Sequence, residues 1–202
     1  MSIFFPFLIC WTLAFLLGSI PTAYVAGRLF KGIDIRLYGS GNVGTTNAFR
    51  VLGKKMGAFV FGIDFLKGLL PVFFLPLFLP PNNLDPREAG LWIGTGAIAG
   101  HVFTPFLGLK GGKGIATGAG VLCGAFPLLF LIVLAAWSVV FVLTRTVSVS
   151  SLAALIALII ASILLGLKGS TIFFFVFIAL FMVWTHRSNI SRLIQGKENK
   201  IS

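Results

Sequence analysis

Charged side chains are scarce in this 202-residue chain, at 10% of its residues, and acids are scarcer still, with five Asp and Glu against 16 Lys and Arg. So little charge, with 57% hydrophobic residues and a mean hydropathy of +1.03, lies far outside the range of soluble domains. Lipid must supply much of the solvent, and no soluble module remains to carry a nucleic-acid-binding surface. There are two cysteines, Cys10 and Cys123, both in apolar stretches. They imply no disulfide or metal framework and are expected to behave as small hydrophobes; no metal or cofactor is expected. Met1 to Phe7 has no basic residue and no convincing cleavage site follows, so the first apolar run is expected to be a retained span and not a secretion signal.

What is present in abundance is apolar sequence. Runs extend over Ile3 to Ile20, Met56 to Leu79, Ala89 to Leu109, Pro127 to Leu143, Val147 to Leu167 and Thr171 to Trp184, each near the ~20 residues that cross a bilayer. Three polar, basic segments interrupt them: Arg28 to Lys55, Gly108 to Gly114, and Thr185 to the C-terminus. The turn Pro80-Pro81-Asn82-Asn83-Leu84-Asp85-Pro86 joins the two spans between the first and second segments, which returns those segments to one side. For the third to share that side, Ile115 to Trp184 must hold an even number of crossings. Pro127 removes a backbone donor and clashes with the preceding turn, so Ile115 to Phe126 reads as a short span that turns there. The expectation is an all-α polytopic helical bundle forming one domain over 1–202, with seven transmembrane helices. Its N-terminus would lie outside and its C-terminus in the cytoplasm.

In that arrangement Arg28, Lys31, Arg36, Arg50, Lys54, Lys55, Lys110, Lys113, Arg145, Arg187, Arg192, Lys197 and Lys200 face one side, and only Arg87 and Lys168 the other. By the positive-inside rule the basic side is cytoplasmic. The net charge of +11 also favours anionic lipid headgroups. The glycine pairs Gly96/Gly100, Gly114/Gly118 and Gly120/Gly124 are expected to be packing contacts between helices and not ligands. Asp64 and Lys67, three apart within an apolar run, are expected to pair, with a structural role as plausible as a catalytic one.

The basic segments carry more than a charge bias needs. Residues 39–50 read Gly-Ser-Gly-Asn-Val-Gly-Thr-Thr-Asn-Ala-Phe-Arg. The G-x-G-x-x-G within them has no βαβ unit around it, so a dinucleotide fold is excluded. Its glycines still free backbone N–H groups for an anion, ahead of a helix expected to begin near Thr45. Ser40, Asn42, Thr45, Thr46 and Asn47 add neutral donors, and Arg50 adds a fork suited to phosphate. Residues 100–117 place Lys110 and Lys113 around Gly111-Gly112 at a helix start, a second anion cradle without the spacing of a Walker loop. Residues 185–200, as a helical tail, bring His186, Asn189 and Arg192 toward one face, beside Arg187 and Ser188.

Taken together, G-S-G-N-V-G-T-T-N-A-F-R, G-H-V-F-T-P-F-L-G-L-K-G-G-K-G-I-A-T and H-R-S-N-I-S-R-L-I-Q-G-K-E-N-K resemble the signatures of the bacterial acyl-phosphate:glycerol-3-phosphate acyltransferase family, in order, spacing and overall length. The chain departs from them at Pro105, where the proline often stands one place earlier, at Leu109, often aromatic, and at Thr185, often basic. The resemblance implies an inner-membrane enzyme that transfers a fatty acyl group from acyl-phosphate to the 1-hydroxyl of glycerol 3-phosphate, giving lysophosphatidic acid and phosphate, without metal or coenzyme A. Its partners would be those two substrates, membrane lipids and the enzyme that produces acyl-phosphate, with an active site facing the cytoplasm.

The H-x-x-x-x-D signature of other acyltransferases is missing, since Phe106 and Ser191 stand five residues after His101 and His186. Substrate-assisted catalysis is therefore expected, with a substrate phosphate of second pKa ~6 accepting the proton. Ser40, Asn42, Asn47 and Arg50 would hold the reacting centre. His101, His186 and Asn189 would orient the acceptor. Lys110, Lys113 and Arg187 would hold phosphate, and Gly41, Thr45, Thr46, Gly111, Gly112, Ser188 and Arg192 would complete substrate binding. A covalent route through Ser40 is the mechanistic alternative, and a transporter for a phosphate-bearing anion the functional one.

Overall fold

Why the first apolar run breaks is the key to the first half of the molecule. The structure, a computed structural model, describes residues 3–81 and 85–200, and every regular element among them is helical. Asn82, Asn83 and Leu84 of the expected turn lie outside the described residues. Helix α1 (Phe4–Ser19) ends where Ile20, at ψ 114, precedes Pro21, because a residue before proline is driven out of the helical region. The chain resumes as α2 (Thr22–Lys31), closed by Gly32 at φ 65. A helix over Thr22–Lys31 was hidden in the sequence by the polar residues at its end.

The broken end of α1 leaves carbonyls that no water in hydrocarbon would satisfy. Side chains from elsewhere satisfy them: Thr104 Oγ1 donates to Ser19 O at 2.6 Å, and Lys67 Nζ donates to Ile20 O at 3.0 Å. Beyond α2, Asp34 caps a short 3-10 turn, Ile35–Leu37, by accepting from Arg36 N. Its carboxylate also pairs with Arg36 at 2.7 Å and Arg28 at 3.2 Å, and both guanidinium groups lie over the Tyr24 ring. The Arg36 hydrogen bonds hold the Asp34 carboxyl at about 2, so this clasp stays charged at any ordinary pH.

The chain divides into two compact units, Met1–Ala125 and Phe126–Ser202. The first continues with α3 (Thr45–Leu52), α4 (Lys54–Phe74), α5 (Pro86–Val102) and α6 (Ile115–Ala125). Within it, small residues let helices approach until backbone meets backbone, as the glycine spacing predicts. Gly96 and Gly100 of α5 rest on Trp11 O and Phe15 O of α1, and Gly18 of α1 rests on Ala97. Gly120 of α6 rests on Phe65 O, Gly124 on Val72, and Gly68 of α4 on Thr117 O. The expected pair Gly114/Gly118 is different, because Gly114 has φ 85 and belongs to the loop that starts α6.

The second unit holds α7 (Pro127–Thr144), α8 (Val147–Leu164), α9 (Gly169–Thr185) and α10 (Arg187–Ile194). Pro127 occupies the first turn of α7, where its missing donor costs nothing, which confirms the predicted break at this proline. Trp137 Nε1 on α7 donates to Ser151 Oγ on α8 at 3.3 Å. Between α9 and α10 the axis bends by 61°.

One expectation is met in part. By length and hydropathy, four stretches are able to cross a membrane: 4–31, 54–78, 127–144 and 147–164. A fifth counts if the bent pair α9 and α10 is one span, so among the described residues length and hydropathy alone single out four or five of the seven expected spans. The reason is geometric: α6 has 11 residues, about 16 Å at 1.5 Å per residue, against a hydrocarbon core of ~30 Å. Likewise α5 stops at Val102 after 17 residues, short of Leu109, and the chain turns at Pro105. Cys10 and Cys123 are free thiols as expected; Cys10 is buried, with Sγ 3.5 Å from Leu75 O.

Candidate functional site

In the first unit the loop before α3 is built by its glycines and asparagines. Gly39 and Gly41 have φ 60 and 70, a region that L side chains rarely adopt, and a Cβ at Gly39 would collide with Asn47 Oδ1. Asn47 is fully buried; its Oδ1 accepts from Ser40 N at 2.9 Å, and its Nδ2 donates to Tyr38 O at 3.1 Å and Ile35 O at 3.3 Å. Its side chain thus shapes the loop from within and leaves Ser40 and Gly41 exposed. Asn42 Oδ1 accepts from Gly44 N at 3.0 Å, a local turn that leads into α3 at Thr45, where the sequence predicted a helix start. Thr45, Thr46 and Arg50 are half-buried, with Arg50 in the last turn of α3.

The second segment folds back on the end of α5. Leu109 N donates to Thr104 O at 2.9 Å, and Leu109 itself sits at φ 62, an uncommon left-handed conformation for a leucine. Gly111 N donates to Val102 O at 2.9 Å and Gly112 N to His101 O at 3.0 Å. Those two N–H groups therefore serve the end of α5, and an anion here would meet the exposed Lys110, the half-buried Lys113 and the first turn of α6. Gly112 has a second duty, since a Cβ at this position would occupy the space of the His101 ring.

These two segments meet. Asn42 Nδ2 donates to Gly111 O at 3.3 Å, and an added Cβ on Gly44 would lie 3.9 Å from Gly112 Cα. The residue before α3 is thereby a neighbour of the turn that leads into α6, and helix N-termini favour anions. A buried cluster lies near the start of α3, of which spacing predicted the Asp64–Lys67 pair and nothing further. Asp64 Oδ1 accepts from Lys67 Nζ at 2.9 Å and Thr22 Oγ1 at 3.0 Å, and Asp64 Oδ2 accepts from Thr45 Oγ1 at 3.3 Å. His101 Nδ1 lies 3.7 Å from Asp64 Oδ1, too far for a hydrogen bond but close for an electrostatic partner. The carboxylate near His101 comes from α4, so no short sequence signature could have found it. The available signal was a charge pair inside an apolar run.

The remaining predicted residues belong to the second unit. His186 is buried at the bend between α9 and α10, with Nδ1 2.7 Å from Met182 O. A carbonyl only accepts, so Nδ1 carries a proton. Arg187 and Ser188 are exposed, and Arg187 stacks 4.4 Å over the Trp184 ring. Asn189 and Arg192, predicted to share a face, both donate to Glu198, at 2.6 and 2.7 Å. Ser148 Oγ at the start of α8 donates to the same carboxylate at 2.9 Å.

Burial alone would push the Glu198 carboxyl up, but the bonds from Asn189, Arg192 and Ser148 together outweigh it and hold it below its ordinary 4.5. With the folded value depressed, the clasp contributes fully above pH 4.5 and is lost as pH falls through the folded value. Glu198→Gln is expected to speed amide exchange over 187–199 by about tenfold at neutral pH, read by mass spectrometry.

Glycine-built loops, helix starts and lysines, carried on apolar helices, define a helical membrane protein with a candidate site for an anion. The class narrows at once to a family. The model described as glycerol-3-phosphate acyltransferase matches residues 8–196, and the chain belongs to that family. It is 44% identical to the glycerol-3-phosphate acyltransferase of Staphylococcus saprophyticus over 94% of this chain and 95% of that one. With that of Chlorobium phaeobacteroides it shares 40% identity over 98% and 97%. The solved structure of PlsY (YgiH), an integral membrane glycerol 3-phosphate acyltransferase, in its glycerol 3-phosphate form, is 35% identical and superposes with a TM-score of 0.89 over 97% of this chain and 96% of that one. Its lysophosphatidic acid form gives 0.86, at 97% and 95%.

Proposed function

We propose that this chain moves a fatty acyl group from acyl-phosphate to the 1-hydroxyl of glycerol 3-phosphate, giving lysophosphatidic acid and inorganic phosphate. The observation that carries this reading is the meeting of the first two basic segments through Asn42 and Gly111. It gathers Lys110, Lys113, Thr45 and two helix starts into a cradle for phosphate, the group both substrates share. Membership of the glycerol-3-phosphate acyltransferase family supports the acceptor.

In the proposed reaction the 1-hydroxyl oxygen attacks the acyl carbonyl carbon, the bond from that carbon to the phosphate oxygen breaks, and a substrate phosphate oxygen takes the hydroxyl proton. The chain contributes positioning and charge stabilisation. Ser40, Asn42 and Arg50 would hold the reacting centre, with Asn47 shaping the loop that presents them. Turnover lost in both His101→Ala and His186→Ala, with binding and folding intact, would replace this with a histidine base, and a trapped acyl-Ser40 with a covalent route.

The excess of Lys and Arg in the three polar segments favours the cytoplasmic face of a bacterial inner membrane for the site and the C-terminus, with the N-terminus outside. Acyl-phosphate would arrive from the enzyme that makes it, and the product would leave into lipid. The test is phosphate release from palmitoyl-phosphate by the purified protein, with and without glycerol 3-phosphate. Acceptor-dependent release with lysophosphatidic acid formed is the expected result. Uptake of glycerol 3-phosphate into liposomes without release would make the chain a transporter.

A further inference from the structure

Asp64 is the most enclosed charged side chain of the first unit, at 1% exposure, and its two oxygens do different work. Oδ1 faces Lys67 of α4 at 2.9 Å and Thr22, the first residue of α2, at 3.0 Å, next to the broken end of α1, whose Ile20 carbonyl the same lysine caps. Oδ2 reaches the hydroxyl of Thr45, the first residue of α3, at 3.3 Å. The residue before it, Gly44, has no side chain to cap the helix. The seat of the α3 start is therefore set by a carboxylate on α4. That start is the one that lies beside Gly112, over which the His101 ring packs while its Nδ1 stands 3.7 Å from Asp64.

A charge pair that only cancelled itself in a low-dielectric interior would be replaceable by neutral side chains of similar volume. The hydrogen bond that the second oxygen accepts, from Thr45, is no part of the contact with Lys67. We propose that Asp64 is a positioning residue for glycerol 3-phosphate, holding Thr45 and the start of α3 against the Gly111–Gly112 turn, with Lys67 keeping the carboxylate in place. The inference rests on the reading that the acceptor's phosphate binds at that turn. It adds Asp64, Lys67 and Thr22 to the residues on which acceptor binding depends, although none of them is expected to touch substrate.

The experiment is steady-state kinetics of the full chain, with glycerol 3-phosphate varied at saturating palmitoyl-phosphate. Asp64→Asn/Lys67→Gln removes both charges, so neither is left buried alone, and Asp64→Glu keeps the charge while displacing the oxygen that Thr45 meets. Either variant, recovered folded, is expected to raise the KM for glycerol 3-phosphate about tenfold, the loss of one charge-assisted hydrogen bond, with kcat within about threefold. Thr45→Val is expected to raise KM similarly, and to add little in the Asp64→Glu background, because both changes break one contact. A folded Asp64→Asn/Lys67→Gln or Asp64→Glu protein with the parent KM, or full additivity with Thr45→Val, overturns the proposal. Lys110→Ala separates the two readings. If it changes KM and the Asp64 variants do not, the positioning role fails alone; if Lys110→Ala leaves KM unchanged, the phosphate site itself is misplaced and the proposal falls with it.

Discussion

Alanine at Gly112 is expected to lower kcat/KM for glycerol 3-phosphate by about 100-fold, the effect of displacing positioned groups by an ångström. The added methyl would stand where the buried His101 ring stands, and neither side yields easily. The ring is packed into α5, and the Gly112 backbone is fastened to His101 O by its N–H. Acyl transfer by Gly112→Ala and Gly62→Ala proteins, measured side by side, checks this. Gly62 lies on α4 with nothing within 4 Å of an added Cβ, so Gly62→Ala is expected to retain parent activity. Equal activities would mean that the glycine turn is a spacer with no grip on His101.

Lys67→Met is expected to destabilise the protein by about 3–5 kcal/mol, the usual cost of leaving one partner of a buried pair behind. Two groups lose their partner at once: the Asp64 carboxylate, and the Ile20 carbonyl that the proline break leaves open. Thermal unfolding in a mild detergent measures the loss. Adding Asp64→Asn to Lys67→Met is expected to recover most of it, since the uncompensated charge is then gone and only neutral hydrogen bonds are missing. A Lys67→Met protein as stable as the parent would show that water reaches the pair.

The two predictions draw on parts of the molecule that differ in how far the sequence foretold them. Gly112 belongs to a segment whose glycines and lysines, set between apolar runs, led composition to propose an anion site there. What composition left open was the direction of its N–H groups. Gly111 and Gly112 donate to α5 and not outward, so on the proposed reading an anion would depend on the lysines and on the start of α6. The role of Asn47 moved for a similar reason. A polar residue in a polar loop reads as a ligand, whereas burial turned this one inward to hold Ser40 N, Ile35 O and Tyr38 O.

Lys67 and Asp64 were visible as charges in an apolar run, but their partners Thr22, Thr45 and His101 come from α2, α3 and α5 and share no spacing with them. The expected crossings differ in length. A run of apolar residues says that a segment avoids water, and α6, at 11 residues, meets that condition without reaching across a bilayer.

By itself the sequence determined that the chain is helical, that it lives in lipid, that a helix breaks at Pro127, and that its basic segments are rich in glycine. Each of these follows from local chemistry: hydropathy, a missing backbone donor, a missing Cβ. Only the tertiary structure decided that Asn42 meets Gly111, that the His101 ring rests on Gly112, and that one buried carboxylate joins the broken end of α1 to the start of α3. Such contacts depend on how closely glycine-faced helices approach one another, and no property of a single segment encodes that distance.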